Sequence, residues 1–391
     1  MHRWWVVVAL VVSGCGSSKG KSPPEPGSGS DGAVATAIDA AATALTGLPT
    51  FEQIVSTATA PTQIAALVPR DPGQLAWLMF LYVNWPATPG TRGVPDPSKT
   101  LGQTPTAWQT WKEVHEVYLA GGVAPQPWDD GGPTGPPTLS LGEIDGTTLT
   151  DVNGNPITYT VGMNQGAFDY IVSRAFYGWN GQAALRSTGT APTAFPTSAM
   201  EVKASWKILD PIADKDRMDH YLVAEALLPP AGTKVAVGLT GLHITSKALP
   251  SWVWITFEQI ENPMTTGVQP KFAIDPGVAK ANNAFQKALA GTPYAYYQAN
   301  GVQSAFTTAE GQPTLLASTQ IETRFQTSSS CITCHALASV STGTQPRLDF
   351  FQLKAGNLSG FTGMPPTSPF GPGPDQYSSL DFVWSMREAK R

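Results

Sequence analysis

The sequence predicts an α+β fold, with N-terminal helices, a central and mainly antiparallel sheet, and a helical C-terminal segment bearing the motif Cys331-Ile332-Thr333-Cys334-His335. Three observations carry that expectation. Helix-forming stretches crowd the first 120 residues, strand patterns with short connections take over from about residue 138, and helical spacing returns at residues 278–289, ahead of the motif. The chain has 391 residues, of which 41% are hydrophobic and only 14% charged, with 38 Gly and 35 Pro. That balance supplies a large core and many loops, and fits an exported protein better than a long helical bundle.

Residues 1–14 read as a leader. His2 and Arg3 precede an apolar run over residues 4–12, too short at about 1.5 Å per residue to cross a bilayer core of ~30 Å as a helix. The run ends in Val12-Ser13-Gly14-Cys15. Small residues before a Cys at that point resemble the lipobox of bacterial lipoproteins. The resemblance implies a diacylglyceryl group on the Cys15 sulfur, cleavage just before it, and anchoring to a bacterial membrane on its periplasmic or outer face, with Gly16 favouring the outer membrane. At ~0.8 kcal/mol per buried CH₂, two or three acyl chains hold a protein on a bilayer stably. Residues 15–32, rich in Gly, Ser and Pro, cannot bury apolar surface and read as a flexible tether.

An α+β domain is expected over residues 33–320. Residues 33–48 favour helix through their Ala content. Residues 74–83 form a helix that is apolar on most faces, hence buried, and Asn84-Trp85-Pro86 stops it. A third helix is expected over residues 106–120, with Trp108, Trp111, His115 and Tyr118 on one face. The clearest strand is 200–208, in which even positions are apolar and odd positions polar. Further strands are expected at 221–228, 235–246 and 252–261; in the second, His243 alternates with Val235, Val237 and Leu239 as if on their face. No internal repeat is found. Residues 321–391 form the motif-bearing C-terminal segment.

The three cysteines are Cys15, Cys331 and Cys334. The lipobox consumes the first, and the other two stand in the Cys-x-x-Cys-His signature of c-type haem attachment. Two thiols three residues apart on one helical turn reach the two vinyl groups of one porphyrin, and the adjacent His335 offers its imidazole to the iron. A thioredoxin-like pair wants a βαβ context that the flanking Ser- and Ala-rich segments lack, a zinc site wants two more Cys or His nearby, and a plain disulfide is indifferent to His335. One covalent haem c on Cys331, Cys334 and His335 is therefore the expected cofactor.

The segments Phe80-Leu81-Tyr82-Val83-Asn84-Trp85-Pro86, Trp108-Gln109-Thr110-Trp111-Lys112, Val202-Lys203-Ala204-Ser205-Trp206-Lys207, Gly241-Leu242-His243-Ile244, Trp252-Val253-Trp254-Ile255-Thr256-Phe257-Glu258 and Ser329-Ser330-Cys331-Ile332-Thr333-Cys334-His335 together resemble a group of bacterial single-haem "cytochrome c family" lipoproteins. The resemblance runs from about residue 75 to the end. It implies haem, export and electron transfer, and it names no substrate. Gln259 stands where that family often carries His, which removes one ligand position.

The second axial ligand stays open at this point. Met364, in Gly363-Met364-Pro365-Pro366, resembles the methionine loop of class I cytochromes c; Met386 is a local alternative, and His243 a distant one. His115 and His220 read as structural. Arg324, Arg347 and Lys354 are candidates to pair with haem propionates. The chain shows no dinucleotide or phosphate loop, no His-Glu-x-x-His and no nucleophile elbow. A net charge of −5 without a basic stretch argues against a nucleic-acid partner. Three functions compete: a one-electron carrier serving a redox partner protein, a haem peroxidase or oxidase with a substrate pocket in the N-terminal region, and a haem-based gas sensor.

Overall fold

In a computed structural model of the chain, residues 47–390 are described, apart from 103, 130–135, 142, 145–146, 149–156, 189–192, 263–272, 323–324, 342–347, 349–361, 372 and 374. The leader, Cys15, the tether and nearly all of the helix expected over 33–48 lie outside the described residues, as do Arg324, Arg347 and Lys354.

Three helices open the described chain: α1 (Phe51–Ala58), α2 (Pro61–Arg70) and α3 (Pro72–Val83). Local chemistry sets their starts. Thr50 and Gln53 form a reciprocal capping box on α1, and the Asp71 carboxylate accepts from Gln74 N at 2.9 Å ahead of Pro72, the first residue of α3. The apolar run expected over 74–83 is the buried α3. Its Trp77 stacks on Phe285 and meets Phe257 edge-on, both at 5.1 Å, and Phe80 stacks on Phe257 at 4.2 Å. Phe285 lies on α7 (Pro276–Ala288), which α5 (Gln165–Ser173) and α6 (Ala183–Thr188) precede in the chain. Gly73 is required where α3 and α7 cross, because a Cβ there would come within 2.7 Å of the Ala281 Cβ. Asn282 is the polar hub of this layer: its Oδ1 accepts from Trp77 Nε1 and Ala299 N, and its Nδ2 donates to Ala299 O, all at 2.9 Å.

Against these helices lies an eight-stranded, wholly antiparallel sheet. Its strands are β1 (Lys112–Glu113), β2 (Ser140–Leu141), β3 (Thr158–Met163), β4 (Met200–Ile208), β5 (Val223–Leu228), β6 (Thr233–Ser246), β7 (Val253–Gln259) and β8 (Tyr297–Gln303). The order is β1-β3-β4-β6-β7-β8, with β2 paired to β3 and β5 to β6. The α+β class expected from sequence is the observed one.

Two local expectations are corrected. Residues 106–120 do not form one helix; they break into a 3-10 turn at Trp108–Thr110, strand β1, and the single turn α4 (Val114–Val117). Pairing of Lys112 and Glu113 with Met163 and Gly162 overrides the helical spacing. His115 consequently leaves the face of its aromatic neighbours: its side chain is 52% exposed and bonds Glu113 at 2.9 Å. The second correction concerns His243. Ser205 pairs with Gly241 but Trp206 with Leu239, so Thr240 is an extra residue in β6. This bulge inverts the alternation. Val237 and Leu239 share the helix-facing side with Leu242 and Ile244, while His243 points to the other side beside Lys203 and Thr256.

That second face carries the C-terminal segment. It contains α8 (Cys331–His335), the two-stranded pair β9 (Ser339–Ser341) and β10 (Tyr377–Ser379), and a 3-10 turn at Trp384–Glu388. Ile332, Val340, Leu380, Val383 and Met386 join the same buried cluster as the sheet, and residues 41–391 form one compact unit. No helix among the described residues is long and apolar enough to cross a membrane.

Candidate cofactor site

The helix α8 is short and is held from several directions. Ser330 caps it by accepting from Thr333 N. From the sheet, Gln303 reaches up with both amide atoms: its Nε2 donates to Ser330 Oγ at 2.8 Å and its Oε1 accepts from Ile332 N at 3.0 Å. Trp384 Nε1 donates to Cys334 O at 3.1 Å. One helical turn separates Cys331 from Cys334, so both free thiols and the His335 imidazole belong to one short, fixed element. Burial pushes both thiols up, so neither is poised as a thiolate.

His335 faces the sheet. Its ring lies 4.4 Å from that of Trp254, and its Nδ1 meets Phe382 O at 2.8 Å. A carbonyl only accepts, so Nδ1 carries the proton and Nε2 keeps its lone pair. Burial lowers the imidazole to about 3, ahead of the opposing effect of Phe382 O, and the ring is neutral at pH 7.

His243 lies on the same face of the sheet as Trp254. Its Nδ1 contacts Thr256 Oγ1 at 3.1 Å, and Thr256 in turn bonds Cys331. Its Nε2 is buried without a hydrogen-bond partner. An unpartnered polar atom of that kind costs roughly 1–3 kcal/mol, so the position is set for something else. Burial, and then Lys203, lower His243 to about 3 as well. Lys203 and Glu322 complete the surroundings. The Lys203 ammonium lies over the Tyr159 ring at 4.4 Å and feels the Glu322 charge, with no salt bridge among the described residues. Glu322 accepts from Ser318 N at 2.7 Å, and burial raises it.

These residues fit a haem. The porphyrin brings four nitrogens of its own, so the protein has to supply thiols and axial ligands rather than a cage. Among the described residues no group of three or more His, Cys, Asp or Glu is placed to hold a bare metal ion. Two thiols, a neutral His335 with Nε2 free, and a neutral His243 with Nε2 unpartnered are the complement such a group requires.

Of the other sequence candidates, only Met364 is near α8 in the chain path, and it is exposed. Met364 is 69% exposed, one residue after Gly363, whose carbonyl accepts from Thr333 Oγ1 at 2.6 Å. Met386 is fully buried in the main core. His220 bonds Glu261 at 2.9 Å and stacks on Tyr296. A cavity of about 200 Å³ lies against the opposite, helix-facing side of the sheet, beside Trp108, Trp206, Tyr221 and Tyr294. Sequence reasoning missed Lys203, Gln303, Glu322, Trp254 and Phe382. Lys203 and Trp254 were legible only as parts of strands, and nothing local marks the other three.

Glu201, on the same sheet face, gives a stability prediction independent of any cofactor. It accepts from Ser385 Oγ at 2.6 Å, and burial raises its carboxyl to about 7. A pKa raised above the unfolded value of about 4.5 means that the folded state holds the proton more tightly, so stability is full at low pH and falls as pH rises through about 7. Over that window the native state loses about 2–3 kcal/mol. The Glu201→Gln variant keeps an acceptor for Ser385 and abolishes that slope, which urea unfolding at pH 5 and pH 8 measures directly.

Compared with known proteins, the chain matches no family model, no curated sequence and no solved structure.

Proposed function

We propose that this chain is an exported, lipid-anchored, monohaem c-type protein that works in one-electron transfer. One observation carries the reading: two free thiols and a neutral imidazole occupy a single fixed turn of helix, against the sheet face that also carries a second neutral imidazole whose Nε2 has no protein partner. Cys331 and Cys334 would hold the haem through thioethers, and His335 and, rather than Met364, His243 would hold its iron. Once bound, haem c supplies an iron centre that changes oxidation state by one electron.

The protein's own residues do the rest. Phe382 O holds the His335 tautomer that leaves Nε2 available. Trp254 packs against the imidazole and limits its rotation. Thr256 orients His243. Lys203 would offer a positive charge to an anionic group held here, a role for which Arg324, Arg347 and Lys354 were the sequence candidates. With His335 and His243 both holding the iron, no position would be left for a substrate, which favours a carrier over a catalyst or a gas sensor. Cys15 would tie the chain to a membrane, and the partner would be a periplasmic or surface redox protein rather than nucleic acid, given the net charge of −5.

The test is a visible spectrum of the mature protein made in cells that carry a haem-attachment system, followed by extraction with acidified acetone. Retained colour is expected. A colourless protein overturns the reading.

A further inference from the structure

Val383 N donates to Leu380 O at 3.1 Å, closing a four-residue turn whose central residues, Asp381 and Phe382, have φ of 50° and 70°. Positive φ at both central positions is the type I′ arrangement, which favours Asn and Gly; Asp followed by Phe carries a steric cost there. Something has to hold this turn. The Asp381 carboxylate does so with both oxygens: Oδ1 meets Lys247 Nζ at 2.6 Å, and Oδ2 accepts from Phe195 N at 2.8 Å. Lys247, just beyond the end of β6, is itself pinned. Its Nζ donates to Pro250 O at 2.7 Å and lies 5.6 Å from the Trp252 ring. The two side chains are only 10% and 8% exposed, so the pair is shielded from salt.

The consequence of the turn is the direction of one carbonyl. Phe382 O points at His335 Nδ1, 2.8 Å away, while the Phe382 ring lies 6.2 Å from Trp254, which also packs on His335. A relaxed turn would aim that carbonyl elsewhere. A buried ion pair adds little stability over an apolar pair of the same volume, so stability alone is a weak account of this one. We propose that Lys247 and Asp381 are a positioning pair: they hold a strained turn in the one conformation in which Phe382 O fixes the tautomer, ring plane and basicity of His335. This inference rests on the haem reading above and extends it to two residues that touch neither thiol nor imidazole.

The test uses the haem-bearing protein and reads the iron rather than the fold. Lys247→Met and Asp381→Asn loosen the turn and weaken the Nδ1–H···O bond, making His335 a poorer electron donor to ferric iron. The ferrous form gains relative to the ferric by about tenfold, an upward shift of ~59 mV in reduction potential, with altered ferric electron-spin resonance. Lys247→Arg, which restores the pair, returns both readouts towards the parent values. If Lys247→Met fails to accumulate, Asp381→Asn, which keeps an acceptor for Phe195 N, decides alone. Haem-bearing variants that melt lower but show unchanged potential and resonance assign the pair a purely structural role and overturn the inference, leaving the haem reading intact. A parent protein without haem overturns both.

Discussion

Replacing Cys331 and Cys334 together by Ser yields a mature protein that gives up all its haem to acidified acetone, whereas either single replacement keeps the haem through the remaining thioether. The expectation follows from bond type. Acid acetone unfolds the chain and breaks the iron–imidazole bond but leaves a carbon–sulfur bond untouched. The substitutions themselves disturb little. The Cys331 sulfur has weak hydrogen-bond partners, Leu316 O at 3.7 Å and Thr256, and a Ser hydroxyl serves both. Far-ultraviolet dichroism of the double variant therefore stays that of the parent while its visible absorption is lost on extraction. Intact mass separates the species: parent and single variants carry the added mass of one haem, and the double variant runs at the mass of the bare chain. A double variant that stays coloured after extraction would place the attachment outside this helix.

The residues that were easiest to read in the sequence are those whose meaning is local. The strand Met200–Ile208 was found at its observed ends because apolar and polar residues alternate along it, the polar side meeting the C-terminal segment. The apolar run of α3 was found within two residues, its end marked by Asn84-Trp85-Pro86, while its start at Pro72 was not read. The motif of α8 is contiguous, so its chemistry needs no tertiary knowledge. What failed depends on neighbours distant in sequence. Residues 106–120 carry helical spacing, yet a two-residue pairing with β3 outweighs it. The alternation through β6 breaks at Thr240, and one inserted residue moves His243 from the helix-packed face to the face that meets His335. Gly241 hints at this irregularity, because a Cβ there would lie 2.8 Å from Ser205 Oγ, but a lone glycine in a strand does not say which residue is extra. The Lys247–Asp381 pair joins residues 134 apart, and no pattern in a single sequence pairs two such charges.

Removing the His243 imidazole is expected to change the gas chemistry of the protein outright. With His335 and His243 both holding the iron, as proposed, the reduced spectrum of the parent is expected to stay unchanged under carbon monoxide. In His243→Ala the position opens, carbon monoxide binds, and the reduced band shifts. His243→Met refills the position with a thioether, which favours the ferrous state; the spectrum again resists carbon monoxide, and the reduction potential rises by more than the ~59 mV that a tenfold preference represents. The variants are tolerable structurally, because the only protein partner of the ring nitrogens is Thr256, and Nε2 has none to lose. Each alternative has its own signature. If Met364 were the ligand, His243→Ala would remain inert to the gas and Met364→Ala would become reactive; the 69% exposure of Met364 argues against that outcome. If the parent itself bound carbon monoxide rapidly, the sixth position would be open by design, and the large α+β domain would have to be understood as the housing of a catalyst or sensor. The unpartnered Nε2 of His243, turned by a one-residue bulge towards the turn that carries His335, argues for the closed site instead.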